Sequence, residues 1–290
     1  MSDMQPFFED VQTIYDDDHS TQFVDLFLDP SMTYSCAYYK DDDYSLEQAQ
    51  LAKIDLALDK CDLSPGQTLL DIGCGWGACA YRAASERGVN VIGLTLSAGQ
   101  KAFCERRMQS LPAGSGTVEI RLAGWEQFDE PVDRIVSVGA FEHFRVERHA
   151  EFFRRCRSVL PDDGVMLLHT IVSYDLADLD ERGIPFDHED VLFHKFIAKE
   201  IFPGGQLTPP RFIVQFAEDA GFEVTRQHSL QLHYARTLET WATALEANRD
   251  EAIRRKSQAD FDRFMKYLTG CAARFRSGHI DLFQFTCQAK

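Results

Sequence analysis

Apolar positions along this chain follow two rhythms that take turns. Short aliphatic and β-branched runs predict strands at 67–72, 89–94, 117–122, 132–138, 163–172, 222–231 and 280–287. Longer stretches with apolar residues three and four apart predict helices at 46–60, 78–87, 97–110, 146–159, 209–220 and 235–268. Strand and helix in alternation imply a mainly parallel sheet covered on both faces, an α/β fold of the Rossmann-like kind with seven strands. Two segments fall outside the rhythm. One is an N-terminal helical region up to about Leu28, within a cover spanning 1–45. The other is an excursion from Ser173 to about Gly205, which reads as an inserted lid, 173–205. Pro203-Gly204-Gly205 and Pro209-Pro210 punctuate the loop before the next helix. No repeat or linker interrupts the pattern, so one domain over 1–290 is expected.

Charge narrows the class of partner. A formal net charge of −16 argues against nucleic acid, whose phosphates draw on dense Lys/Arg surfaces. The acidic runs Asp16-Asp17-Asp18 and Asp41-Asp42-Asp43 agree in excluding DNA and RNA, and otherwise read as solvated loops. The polar start Met1-Ser2-Asp3-Met4-Gln5-Pro6 and the lack of any apolar run of about 18 residues predict a soluble, cytoplasmic chain. Eight cysteines without paired spacings predict no metal site and no disulfide framework, with most thiols buried as small hydrophobes.

The chemistry concentrates after the first strand. Leu69-Leu70-Asp71-Ile72-Gly73-Cys74-Gly75-Trp76-Gly77 joins a buried strand to a helix through glycines at every second position. Glycines admit a ligand close to the backbone, and the next helix would begin near Ala78 with its unpaired N–H groups facing that ligand. A dinucleotide fold would place its third glycine three residues after the second, and a carboxylate about twenty residues on. Neither is present, since the second strand ends in Thr95-Leu96-Ser97. Ligands in open α/β sheets sit at the carboxyl ends of the strands. There the sequence places Thr95, Leu96 and Gln100, the last a neutral group suited to ribose hydroxyls; Trp125, whose indole can border an adenine; and Glu126, then Glu142 and His143, and then His169.

The D-x-G-x-G-x-G spacing resembles motif I of S-adenosylmethionine-dependent methyltransferases. Thr33-Tyr34-Ser35-Cys36-Ala37-Tyr38-Tyr39, the LLDIGCGWG loop, Gly139-Ala140-Phe141-Glu142-His143-Phe144, Glu200-Ile201-Phe202-Pro203-Gly204-Gly205 and Tyr267-Leu268-Thr269-Gly270-Cys271 together resemble the mycobacterial cyclopropane mycolic acid synthases and related mycolic acid methyltransferases. The likeness covers nearly the whole chain. Cyclopropane fatty acid synthases acting on phospholipids are a wider relation, but usually carry an additional N-terminal domain, so length favours the mycolic branch.

The resemblance implies a class I methyltransferase sheet and S-adenosylmethionine as cofactor, in contact with Tyr34, Ser35, Asp71, Gly73, Gly75, Gly77, Thr95, Leu96, Gln100, Trp125 and Glu126. It implies methyl transfer to a cis double bond of a long unsaturated, meromycolyl-type acyl chain, then deprotonation to a cyclopropane. The alternatives are quenching of the cation by water or rearrangement to a methyl-branched hydroxyl or trans product, or action on phospholipid acyl chains. Bicarbonate is the implied base, held by Glu142, His169, Tyr234 and backbone amides near Cys36 and Gly139. Plainer readings stand beside these roles: Glu142 as a helix cap, Tyr234 as a core tyrosine. Cys271, treated in the family as an active-site residue, reads equally as packing after a long helix, because cation chemistry needs no thiolate. With 22 Phe and 9 Tyr the chain can shelter a carbocation by cation–π attraction. An apolar channel is expected along the N-terminal helices, the lid and the region of Phe261, Phe264, Met265 and Leu268. The implied carrier is an acyl carrier protein docking on Arg145, Arg148, Arg154, Arg155 and Arg157, or on Arg249, Arg254, Arg255 and Lys256. The acidic lid leaves peripheral membrane contact an open expectation, and oligomeric state is not indicated.

Overall fold

The computed structural model describes residues 4–6 and 23–290. Most of the expected N-terminal helical region and the run Asp16-Asp17-Asp18 lie outside them. From Leu46 onward, α1 (Leu46–Lys60) precedes β1 (Thr68–Ile72), α2 (Ala78–Arg87), β2 (Asn90–Thr95), α3 (Ala98–Met108) and β3 (Val118–Leu122). Then come β4 (Arg134–Val138), α4 (His149–Val159), β5 (Val165–Ser173), the lid helices α5 (Leu176–Glu181) and α6 (His188–Phe196), and α7 (Pro210–Asp219). The chain closes with β6 (Phe222–Ser229), α8 (Gln231–Ala247), α9 (Arg249–Arg255), α10 (Gln258–Ser277) and β7 (Ile280–Ala289).

The seven strands lie in the order β3-β2-β1-β4-β5-β7-β6. The first five are parallel, and β7 runs antiparallel between β5 and β6. Alternate side chains of a strand face opposite sides of the sheet, and the core divides accordingly. Leu70, Ile135 and Leu168 enter a cluster with Phe152 and Phe153 of α4, whereas Leu69, Val136 and Leu167 enter another with Ala57 of α1 and Ala80 of α2. A third cluster lies between α8, α10 and the segment around Phe23 and Phe27. Because β2 and β4 flank β1 on opposite sides, connections leave β1 and β4 in opposite directions and open a crevice at their carboxyl ends.

Several boundaries differ from the periodicity. The stretch expected as one helix over 235–268 is α8, α9 and α10; Ser257 caps α10 by accepting from the Asp260 amide at 3.1 Å. The strand expected to reach residue 231 stops at Ser229, which places Tyr234 in the first turns of α8. The lid is helical as expected, and α6 runs into a π-helical turn, Ile197–Ile201.

Candidate functional site

The crevice holds two cavities. The first, of about 160 Å³, opens where β1 to β4 end. Tyr34, Ser35, Asp71, Gly73, Gly75, Thr95, Leu96, Gln100, Trp125 and Glu126 all line it. Gly77 does not. It stands at the N-cap of α2 with φ +77°, and a Cβ there would sit 2.9 Å from Cys104 Sγ, so its glycine is required by backbone and packing. Gly75, at φ +54°, has open space where a Cβ would be, and this keeps the cradle accessible. Thr95 Oγ1 donates to Gln100 Oε1 at 2.8 Å, leaving the amide hydrogens of Gln100 to donate. Trp125 packs edge-on against Phe152, and its indole nitrogen has no partner among the described residues. Glu126 meets Arg148 at 3.0 Å, and burial lifts its carboxyl pKa.

Asp71, 1% exposed, has its pKa raised to about 7 by burial, against the pull of Lys53; its Oδ2 has no partner among the described residues. Lys53 is a functional candidate the sequence reading missed. Equally buried, it lines the same cavity and donates to Ser35 Oγ at 2.8 Å, and burial lowers its pKa to about 8. Gln50, one turn before it, donates to the carbonyls of Thr33 and Ser35 at 3.2 and 2.8 Å, so α1 fixes the Tyr34-Ser35 segment. The available signal was two polar residues on the α1 face that also carries Ala49, Ile54, Ala57 and Leu58.

The second cavity is larger, about 600 Å³, and mostly apolar. Tyr34, Ser35, Gly139 and His143 line both cavities and form their boundary. Glu142, His169, Tyr234 and Cys271 line the second. Glu142 is 8% exposed; Oε1 accepts from the Ile171 amide at 2.7 Å, and Oε2 is buried without a partner among the described residues. Burial raises its pKa. His169 is fully buried, its pKa held well below the usual range by burial and by the charges of Lys53 and Lys60, and its Nε2 likewise lacks a partner. Burial lifts the Tyr234 phenol well above its usual range, which keeps it a hydrogen-bond donor.

The two candidate cysteines fare differently. Cys36 lines neither cavity; it is wholly buried, its thiol directed at the Ala37 carbonyl at 3.2 Å and its pKa raised by burial. Cys271 lies within α10 and not after a helix; burial pushes its thiol up to about 12, which leaves it protonated at neutral pH and suited to packing. The wall from α10 is Tyr267, Cys271, Arg274 and Phe275, at helical spacing. Phe261 and Leu268, expected there, belong to the core cluster, with Phe264 and Met265 packed against it.

A glycine cradle at the switch point of a seven-stranded sheet, with an acidic residue closing the first strand, defines an S-adenosylmethionine-dependent methyltransferase. Comparison with known proteins makes the class specific. Residues 2–285 match the family model for mycolic acid cyclopropane synthetase. Cyclopropane mycolic acid synthase 3 of Mycobacterium tuberculosis is 54% identical over 285 residues, covering 98% of each chain. The structure of the cyclopropane synthase MmaA2 from Mycobacterium tuberculosis superposes with a TM-score of 0.95 at 52% identity over 100% of both chains. Mycolic acid cyclopropane synthase CmaA1, complexed with SAH and CTAB, superposes at 0.94 and 52% identity, covering 99% of this chain and 100% of that one. The chain belongs to the mycolic acid cyclopropane synthetase family.

Proposed function

We propose that this enzyme transfers a methyl group from S-adenosylmethionine to a cis double bond of a meromycolyl-type acyl chain and then removes a proton from that methyl, closing a cyclopropane ring. The observation that carries the reading is the junction of the two cavities at Tyr34, Ser35, Gly139 and His143, with the unpartnered Glu142 Oε2 and His169 Nε2 in the wall of the larger one. When bound, S-adenosylmethionine supplies an electrophilic methyl group and bicarbonate supplies the base.

The residues fit both. Asp71 and the glycine cradle suit the amino-acid end and the nucleoside of the cofactor; Gln100 would donate to ribose, and Trp125 would border adenine. Glu142 Oε2 would accept the O–H of a bicarbonate, while His169 and Tyr234 would donate to its oxygens; the Gly139 amide is spent on the His169 carbonyl at 2.9 Å and so shapes the wall without donating to the anion. Two side-chain donors would offset the charge of a buried anion that would otherwise be expelled. Around it, Phe202, Tyr267 and Phe275 exclude water and offer ring faces to a carbocation. The acyl chain reaches the site on an acyl carrier protein or from a membrane surface. Capture of the cation by water, or its rearrangement, would give hydroxyl, methyl-branched or trans products from the same first step.

Methyl-deuterated S-adenosylmethionine tests the reading. Mass spectrometry of the lipid product should show two of three deuteriums retained and no added oxygen. Retention of all three would mean that the methyl is never deprotonated.

A further inference from the structure

We infer that Gln284, held by Lys60, fixes His169 in the tautomer with its proton on Nε2, so that the ring offers the large cavity a donor; the functional use of that donor rests on the anion site proposed above. Lys60 is the last residue of α1, and its Nζ lies 2.6 Å from Gln284 Oε1 and 2.9 Å from His228 Nδ1. An ammonium only donates, so the atom Gln284 turns toward it is the carbonyl oxygen. The amide nitrogen then faces the other way, 3.2 Å from His169 Nδ1. An NH2 group also only donates, so Nδ1 accepts and carries no proton. The ring is neutral, and its single proton therefore resides on Nε2.

The geometry is rigid because it is built into the sheet. His169 and Gln284 are direct partners in the antiparallel β5–β7 ladder, and both are wholly buried. A buried amide without partners would be destabilising, and here both ends of Gln284 are used. Gln284 touches neither cavity, so it is a positioning residue acting through His169.

The test is 15N NMR of the full-length protein labelled at histidine, with His169→Asn providing the assignment. Wild type should show a protonated Nε2 and a bare Nδ1 at neutral pH. Gln284→Glu substitutes a group that accepts from Nδ1–H and should reverse the pattern, with kcat lowered on the order of 100-fold and affinity for S-adenosylhomocysteine unchanged. Lys60→Met, which frees the amide to turn, should give a mixture of tautomers and an intermediate kcat. A wild-type ring protonated on Nδ1, or a tautomer indifferent to Gln284→Glu in a variant that still binds S-adenosylhomocysteine, overturns the inference. If wild type shows the expected tautomer while bicarbonate leaves both turnover and the His169 signals unmoved, the tautomer lock stands and the anion reading falls.

Discussion

Asp71 and Lys53 illustrate how the site bears on stability at the scale of single residues. The Asp71 carboxyl titrates at about 7 in the folded protein against an ordinary 3.8. Between those values the folded state holds a proton that the unfolded chain has released, so stability falls as pH rises through the window, by up to about 1.4 kcal/mol per pH unit. Lys53, depressed from 10.5 to about 8, acts in a separate window: above 8 the folded state has lost a proton the unfolded chain keeps, and stability rises with pH. Between pH 4.5 and 7 Asp71 acts without that opposition. His143, His149 and His169, whose pKa values burial lowers, contribute with the opposite sign below about 6.5, so the readout is a difference between two proteins. Urea unfolding of the ligand-free proteins at pH 5 and at pH 7 should show a change from the lower to the higher pH that is more favourable to stability in Asp71→Asn than in the wild type. Equal changes in the two proteins would mean that Asp71 is ionised as an ordinary carboxylate. Asp71 was legible in the sequence because it closes a buried strand before the glycines. Lys53 was not, because its role depends on how the helix preceding the first strand folds back under the strand ends.

Among the elements, one contact joins the lid directly to α10. Phe193 of α6 lies between Gly270 of α10 and the Arg274 guanidinium, which sits 3.8 Å over the ring; Arg274 also pairs with Asp190 of α6 at 2.8 Å in a largely buried bridge. A Cβ at Gly270 would fall on the ring of Phe193. Gly270→Ala has two opposing effects: about 1 kcal/mol gained in helix propensity and about 1–3 kcal/mol lost to overpacking at the lid. Global melting is therefore a poor readout. Hydrogen exchange over 188–201 should accelerate, and KM for the acyl substrate should rise several-fold with cofactor affinity unchanged; unaltered exchange would show that Phe193 simply rotates away. The sequence indicated a lid, yet nothing in its periodicity marked Gly270, since a glycine inside a helix reads as a weakness until the partner ring is known. The division of 235–268 into three helices was more accessible. Ser257-Gln258-Ala259-Asp260 carries the serine and acidic residue of a helix start, but the apolar pattern runs on through it and masked the break.

On the scale of the whole molecule, the sheet, its order of ligand-bearing ends and the glycine cradle follow from local pattern, whereas the large cavity joins residues as far apart as Tyr34 and Leu282. Charge distribution is a property of this second kind. Most of the arginines expected to receive an acidic carrier form ion pairs: Arg148 with Glu126, Arg154 with Glu151, Arg157 with Asp162, Arg249 with Glu246, Arg254 with Glu251, and Arg255 with Asp25 and Glu251. Near the lid end of the large cavity, Leu176 is 65% exposed and Phe212 41%, while the intervening Arg211 pairs with Asp175 and Asp178. No helix among the described residues is long and apolar enough to cross a membrane; we propose that peripheral lipid contact uses these exposed side chains. Apolar burial would favour it, and a net charge of −16 would oppose approach to an anionic surface over roughly a Debye length, about 10 Å at 0.1 M salt. Co-sedimentation should therefore show binding to zwitterionic vesicles that exceeds binding to anionic ones at low salt, the gap narrowing as salt screens the repulsion. Leu176→Ser should weaken binding to both without altering the ratio. Preference for anionic vesicles would mean that a local basic surface, and not the net charge, governs approach; no binding to either would mean that the acyl chain arrives on a soluble carrier, and the exposed leucine would then be sought in the carrier's interface.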